Sequence, residues 1–272
     1  MLFRSGVSFG PLPTALLAIP FAIVITAAML LGTDKLVYSF YRKQKVAPII
    51  LVIVSAGVMF VMNGLVRLII GVEEQDFADG SRFVLTAADF KTWSGLTEGL
   101  AIKTTTAVTL MTAIVTVSVL FWFLQKTRTG KSMRAFSDNE DLALLSGINP
   151  DRVVQVTWII AAALAVIAGT LYGLDKSFRP FTYFQLLLPI FAAAIVGGLG
   201  SPIGAIAGAF VVAFSEVIVT YAWKKVLGYL LPVDWAPDGL MQLLSTDYKV
   251  AVSFSILIIV LLFMPTGLFK GK

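Results

Sequence analysis

The residues that could act on a nucleotide come first. The string TRTGKSM holds Gly130-Lys131-Ser132, the tail of a phosphate-binding loop, in which backbone N–H groups and a lysine cradle phosphates. Such a loop needs a further glycine five positions before Gly130 and a β-strand ahead of it. Gln125 stands at that place, and an apolar run precedes it. The string is a basic connector, and ATP is not bound there. The chain has no histidine and no cysteine, which removes thiolate nucleophiles, disulfides, the commonest zinc ligands and the usual neutral-pH proton shuttle. Gly173-Leu174-Asp175 is a fragment of an intramembrane aspartyl motif, but no second aspartate lies inside an apolar run. An intramembrane serine protease would need the missing histidine. No catalytic constellation survives, and no cofactor or metal is implied.

Three other groups of residues carry information. Arg67 and Glu216 lie inside apolar runs, where an isolated charge is costly and needs a partner, water or an interface. Arg67 fits snorkelling to the outer interface as well as it fits pairing. Glu216 is shorter and deeper, which turns it toward the protein interior. At 1.5 Å per residue their depths come to roughly 6 and 10 Å, close enough for the two side chains to meet. The second group is KSMRAFSDNEDLALLSGINPDRV within a loop at about 125–152. Here Arg134, Asp138, Glu140 and Asp141 precede Leu142, Ala143, Leu144 and Leu145, and Gly147 and Pro150 then stop the run. This predicts a short amphipathic helix outside the membrane, capped by Ser137 or Asp138. It could seat its leucines in a partner's groove or lie on the membrane surface. The third group is PIFAAAIVGGLGSPIGAIAGAF, with Gly197, Gly198, Gly200, Gly204 and Gly208. Small residues four apart allow close helix packing, while bare backbone next to a helix break can line a path. Gly200-Ser201-Pro202 ends one helix and starts another, with Pro202 suited to a first helical position.

The elements that must position these residues are membrane helices. Of the 272 residues, 58% are apolar and 14% charged, against about 25% charged in a soluble domain. Seven apolar segments can be drawn at Leu12–Leu31, Pro48–Ile70, Leu100–Leu124, Val153–Leu174, Gln185–Leu199, Ile203–Trp223 and Val250–Phe269. Runs of this kind must satisfy their backbone internally and so form helices. No alternating segments of barrel type occur. The expected fold is all-α: a polytopic transmembrane helical bundle of about seven membrane segments in one domain, with the short, glycine-ended fifth segment crossing incompletely or broken.

Charge sets the orientation. Thr33–Ala47 holds Lys35, Arg42, Lys43 and Lys45 against Asp34. Gln125–Arg152 holds Lys126, Arg128, Lys131, Arg134 and Arg152. Val72–Gly99 holds Glu73, Glu74, Asp76, Asp79, Asp89 and Glu98 against Arg82 and Lys91. The first two connectors belong inside and the acidic one outside. The net charge of +5 reflects these connectors rather than a nucleic-acid-binding face.

At the loop and the glycine cluster the sequence resembles the branched-chain amino-acid permease family of bacterial ABC importers, in its LivH-type membrane subunit. The resemblance rests on NGLVRLIIG, MRAFSDNEDLALLSGINPDRVVQVTW, AGTLYG, AIVGGLGSPIGAIAGAF and VSFSILIIVLLFMPTGLF, from about the first apolar segment to the C-terminus. It implies an importer in the bacterial inner membrane with two membrane subunits, two cytoplasmic ATP-binding subunits and a periplasmic solute-binding protein. The family's ATPase-contacting loop falls on Glu140, Asp141, Ala143, Leu144, Gly147 and Ile148. Its glycine segment, near the translocation path, falls on Gly197, Gly198, Gly200, Ser201 and Gly204. Family members usually begin with about two further helices, so the chain is expected to be N-terminally incomplete. Lys224–Lys249 looks like an inserted outer loop. Urea, amide or sugar permeases of the same superfamily stand as alternatives, as does a membrane scaffold or receptor without transport.

Overall fold

A computed structural model describes residues 14–73, 83–85, 92, 102–176, 180–198, 200–218, 249–264 and 267–268. Contacts within the chain group it into two compact units, Met1–Arg179 and Pro180–Lys272.

In the first unit a 3₁₀ turn, Thr14–Ala18, leads into helix α1, Ile19–Thr33. A π-helical turn, Asp34–Tyr38, and α2, Ser39–Lys43, follow without a break. The expected connector from Thr33 is therefore helical as far as Lys43. The physical reason is an ion pair: Arg42 returns along the helix to Asp34, which is only 6% exposed. Pro48 opens α3, Pro48–Ile70, and Gly71 ends it at φ 90°. Strand β1, Phe83–Leu85, pairs antiparallel with β2, Ile102–Lys103, with Phe83 opposite Lys103. This short ribbon was not foreseen and leaves the helical class unchanged. Helix α4, Thr104–Lys126, then turns sharply into α5, Arg128–Asp138. A Cβ on Gly130 would strike the backbone of Phe123 and Leu124, so the glycine of the false phosphate loop is there to let two helices meet. Helix α6, Glu140–Leu145, and α7, Pro150–Asp175, complete the unit. Its core joins Ala15, Leu171 and Leu174, with Leu16, Val108 and Ile167 packed around them.

The second unit holds α8, Pro180–Gln185, α9, Leu187–Gly197, α10, Pro202–Val217, and α11, Lys249–Phe263. Its core is Ala192, Val196 and Val212, flanked by Ala193, Ile256, Leu257 and Val260. Beyond α11 the Leu268 N–H donates to the Val196 carbonyl at 2.8 Å, tying Leu268 to α9.

Each of the seven apolar segments contains an apolar helix among the described residues. Among the described residues, Ala15–Lys43, Ile49–Ile70, Thr104–Lys126 and Pro150–Asp175 are long and apolar enough to cross a membrane. Tyr183–Gly197, Pro202–Val217 and Val250–Phe263 are shorter, the fifth among them as foreseen. Large apolar side chains such as Phe21, Ile53, Leu68, Leu110, Phe210 and Leu262 lie outward and exposed, as befits helices whose solvent is lipid or a neighbouring helix. Most of Lys224–Lys249 lies outside the described residues.

Candidate coupling loop and glycine elbow

The loop after α4 is built from helix stops. Asn139 takes an extended conformation, φ −157°, which ends α5 and begins α6 in one residue. Its Oδ1 accepts from the Leu142 N–H at 3.0 Å. The cap is thus Asn139, not Ser137 or Asp138, both of which belong to the end of α5. Those two residues are still helical, whereas a cap must leave helical geometry to turn its side chain back on the first orphan N–H groups. Glu140 and Asp141 occupy the first turn of α6, where the helix's partial positive charge favours acids.

The far end is closed as firmly. Gly147 has φ 80°, a conformation that suits glycine. Its N–H donates to the Leu144 carbonyl at 3.0 Å, and the Ile148 N–H to the Ala143 carbonyl at 3.0 Å. This double bond pattern is the Schellman motif. Asn149 then caps α7, accepting from the Arg152 N–H at 3.2 Å, with Pro150 in its first turn. Between the two stops Ala143 is buried at 3%, whereas Leu142, Leu144 and Leu145 are exposed, Leu145 at 85%. The result is a rigid knob: one alanine anchors it, and three leucines and two acids face outward.

The glycine elbow links α9 to α10. Gly198 and Gly200 have φ 102° and 95°, which end α9 and reverse the chain. Ser201 Oγ accepts from the Gly204 N–H at 3.0 Å, and Pro202 opens α10. A Cβ on Gly197 would strike the Gly204 backbone, one on Gly208 the backbone of Ala193 and Gly197, and one on Gly267 that of Gly198 and Ile195. Close approach thus accounts for Gly197, Gly208 and Gly267. Around Gly200 a Cβ would meet nothing within 4 Å, so that position is open.

Arg67 lies in the last turn of α3, in the first unit. Glu216 lies in α10, in the second, where its carboxylate accepts a hydrogen bond from Ser253 of α11. Sequence reasoning missed Ser253, because a serine in an apolar run most often bonds its own helix's carbonyl. It also missed the Asp34–Arg42 pair, although an acid and a base eight residues apart are a little over two helical turns apart. Beside that pair, the Tyr38 and Trp158 rings stack obliquely with centroids 5.5 Å apart, joining the π-helical turn to α7.

Comparison with known proteins decides the family. The family model described as the branched-chain amino acid transport system permease component matches residues 2–261. The chain belongs to this family. It is 31% identical over 252 residues to the high-affinity branched-chain amino acid transport system permease protein LivH of Escherichia coli (strain K12), covering 91% of this chain and 71% of that protein. To the BraD permease protein of the corresponding system in Pseudomonas aeruginosa it is 33% identical over 159 residues, 57% of this chain and 45% of the other. The LivM permease protein of Escherichia coli (strain K12) is 26% identical over 128 residues, 44% and 30% of the two chains. No solved structure matches. This permease component is a multi-pass helical membrane protein, and the resemblance carried by the loop and glycine motifs stands.

Proposed function

We propose that this permease component is a membrane-spanning subunit of an ATP-driven importer, carrying branched-chain or related small amino acids across the inner membrane. ATP is hydrolysed by two separate cytoplasmic subunits. A second permease subunit completes the pathway, and a periplasmic binding protein delivers the substrate. The observation that carries this reading is the knob at α6. Three exposed leucines and two acids, held between an asparagine cap and a Schellman stop, form a stiff handle beside a Gly130-Lys131-Ser132 string that lacks the glycine of a phosphate loop. Stiffness matters, because a handle transmits motion only if it does not deform. Charge bias supports a cytoplasmic position, since Gln125–Arg152 is rich in lysine and arginine. The alternating-access path is proposed to pass the elbow of Gly197, Gly198, Gly200, Ser201 and Gly204, where the helix is broken and Gly200 lies open.

The test is ATP-driven uptake of radiolabelled leucine by the complete complex in proteoliposomes, with urea and a sugar as competing cargoes. Leucine uptake that depends on ATP and on the binding protein is expected. Leu145→Asp should abolish binding-protein-stimulated ATP hydrolysis while the subunit still inserts. Uptake that prefers urea or sugar would overturn the substrate assignment, and full coupling in Leu145→Asp would overturn the role of the knob.

A further inference from the structure

Among the described residues of the first unit, three buried side-chain oxygens lack a hydrogen-bond partner: Thr105 Oγ1, Thr109 Oγ1 and Asn63 Oδ1. Buried polar groups are normally satisfied, and an orphan hydroxyl is destabilising. Thr105 is only 1% exposed. Other hydroxyls in these helices solve the problem locally: Thr157 donates to the Val153 carbonyl at 2.9 Å and Ser118 to the Ile114 carbonyl at 2.7 Å. Thr109 has the Thr105 carbonyl one turn behind it and makes no such bond.

The spacing adds a second observation. Thr105, Thr109, Thr112 and Thr116 stand at i, i+4, i+7 and i+11 of α4, one stripe along a helix. Thr105 is buried and the other three are half-buried, so the stripe lies on the inner side. Val108 of the same helix packs on the Ala15, Leu171 and Leu174 core, which places an apolar wall beside the stripe. Asn63 shares its level. Helices α3 and α4 are consecutive spans, so the end of one and the start of the other lie on the same side of the membrane. Asn63 is seven residues inside Ile70 and Thr109 five inside Thr104, depths of roughly 10 and 8 Å. All three orphans thus lie in the leaflet that the acidic connector marks as outer.

We propose that the Thr105–Thr109 face of α4 forms an outer-leaflet subsite for the zwitterionic end of a small amino acid in transit. This deepens the importer reading and rests on it. A threonine hydroxyl donates to a carboxylate and accepts from an ammonium. Neutral groups suit passage: they replace the hydration of both charges, yet hold the substrate weakly enough to release it.

The experiment uses the complete importer in proteoliposomes with radiolabelled leucine and the variants T105V/T109V and T105S/T109S. Valine keeps the shape and removes the hydroxyl. The valine pair should lower kcat/KM for uptake about tenfold, the loss of a hydrogen bond to a charged group. Thermal stability in detergent should be unchanged or improved, because two orphan hydroxyls are gone. The serine pair should transport within about twofold of wild type on the same scale. Wild-type uptake by the valine pair would overturn the proposal and leave these hydroxyls to water. Equal loss in the serine pair would overturn it in favour of packing. Absence of ATP-driven leucine uptake in the wild type would remove the importer reading, and this inference with it.

Discussion

Arg42 grips Asp34 with both guanidinium nitrogens, Nη1 at 2.9 Å from Oδ1 and Nη2 at 3.3 Å from Oδ2. The pair spans the π-helical turn and keeps one continuous helix from Ala15 to Lys43. Paired forks of this kind are directional as well as strong. Removing Arg42 leaves the buried Asp34 carboxylate without its ion-pair partner. R42M should therefore destabilise the protein by about 1–2 kcal/mol, the lower range for charged hydrogen bonds because Arg42 is partly solvated. The double variant D34N/R42M should recover part of that loss. Thermal unfolding in detergent checks both, and strictly additive losses would show that the pair is not coupled.

The glycines separate by mechanism. G197A and G208A should lose most of their folded yield, since even a methyl group strikes backbone that cannot move aside. G200A has room but the wrong φ, and should cost only about 1 kcal/mol. If the elbow borders the path, G200L should fold and yet block uptake. Normal transport by G200L at normal expression would confine the elbow to a structural turn.

Orientation can be read directly, because the chain has no native cysteine. Glu73→Cys, next to the Gly71 stop of α3, should react with a membrane-impermeant maleimide from outside intact cells. Asp138→Cys, at the end of α5, should react only after permeabilisation. The reverse pattern would place the knob outside and end its assignment to a cytoplasmic ATPase.

Glu216 and Ser253 form a polar link between α10 and α11, with Ser253 fully buried at 0% exposure. S253A should lower the melting temperature in detergent, because the carboxylate loses a donor inside an apolar unit. Glu216→Gln can still accept the bond and should cost less. Arg67 enters through a double-variant cycle with Glu216. A non-zero coupling energy would establish the pairing proposed from their depths, and additivity would return Arg67 to the outer interface as a snorkelling residue.

Membrane class, the number of apolar helices and both helix-breaking motifs were legible in the sequence, because each depends on local chemistry. Long apolar runs must be helices in hydrocarbon. Pro202 and Pro150 mark helix starts through a fixed φ and a missing N–H, and Gly147 marks a stop by its positive φ. The family was legible for the same reason, since its motifs are short and contiguous. Tertiary structure alone decided which polar residues are satisfied and by what. Asp34 counted as one acid in a basic connector until the helix continued through it and brought Arg42 within reach. Ser253 and Glu216 are 37 residues apart, and only the packing of α10 on α11 makes them partners. Gly130 looked like a piece of a phosphate loop, and it is the close approach of α4 to α5 that requires it. The orphan state of Thr105 and Thr109 is likewise invisible in sequence, because a hydroxyl in a helix can usually bond its own backbone. Only burial without a partner distinguishes these two from the threonines that do so.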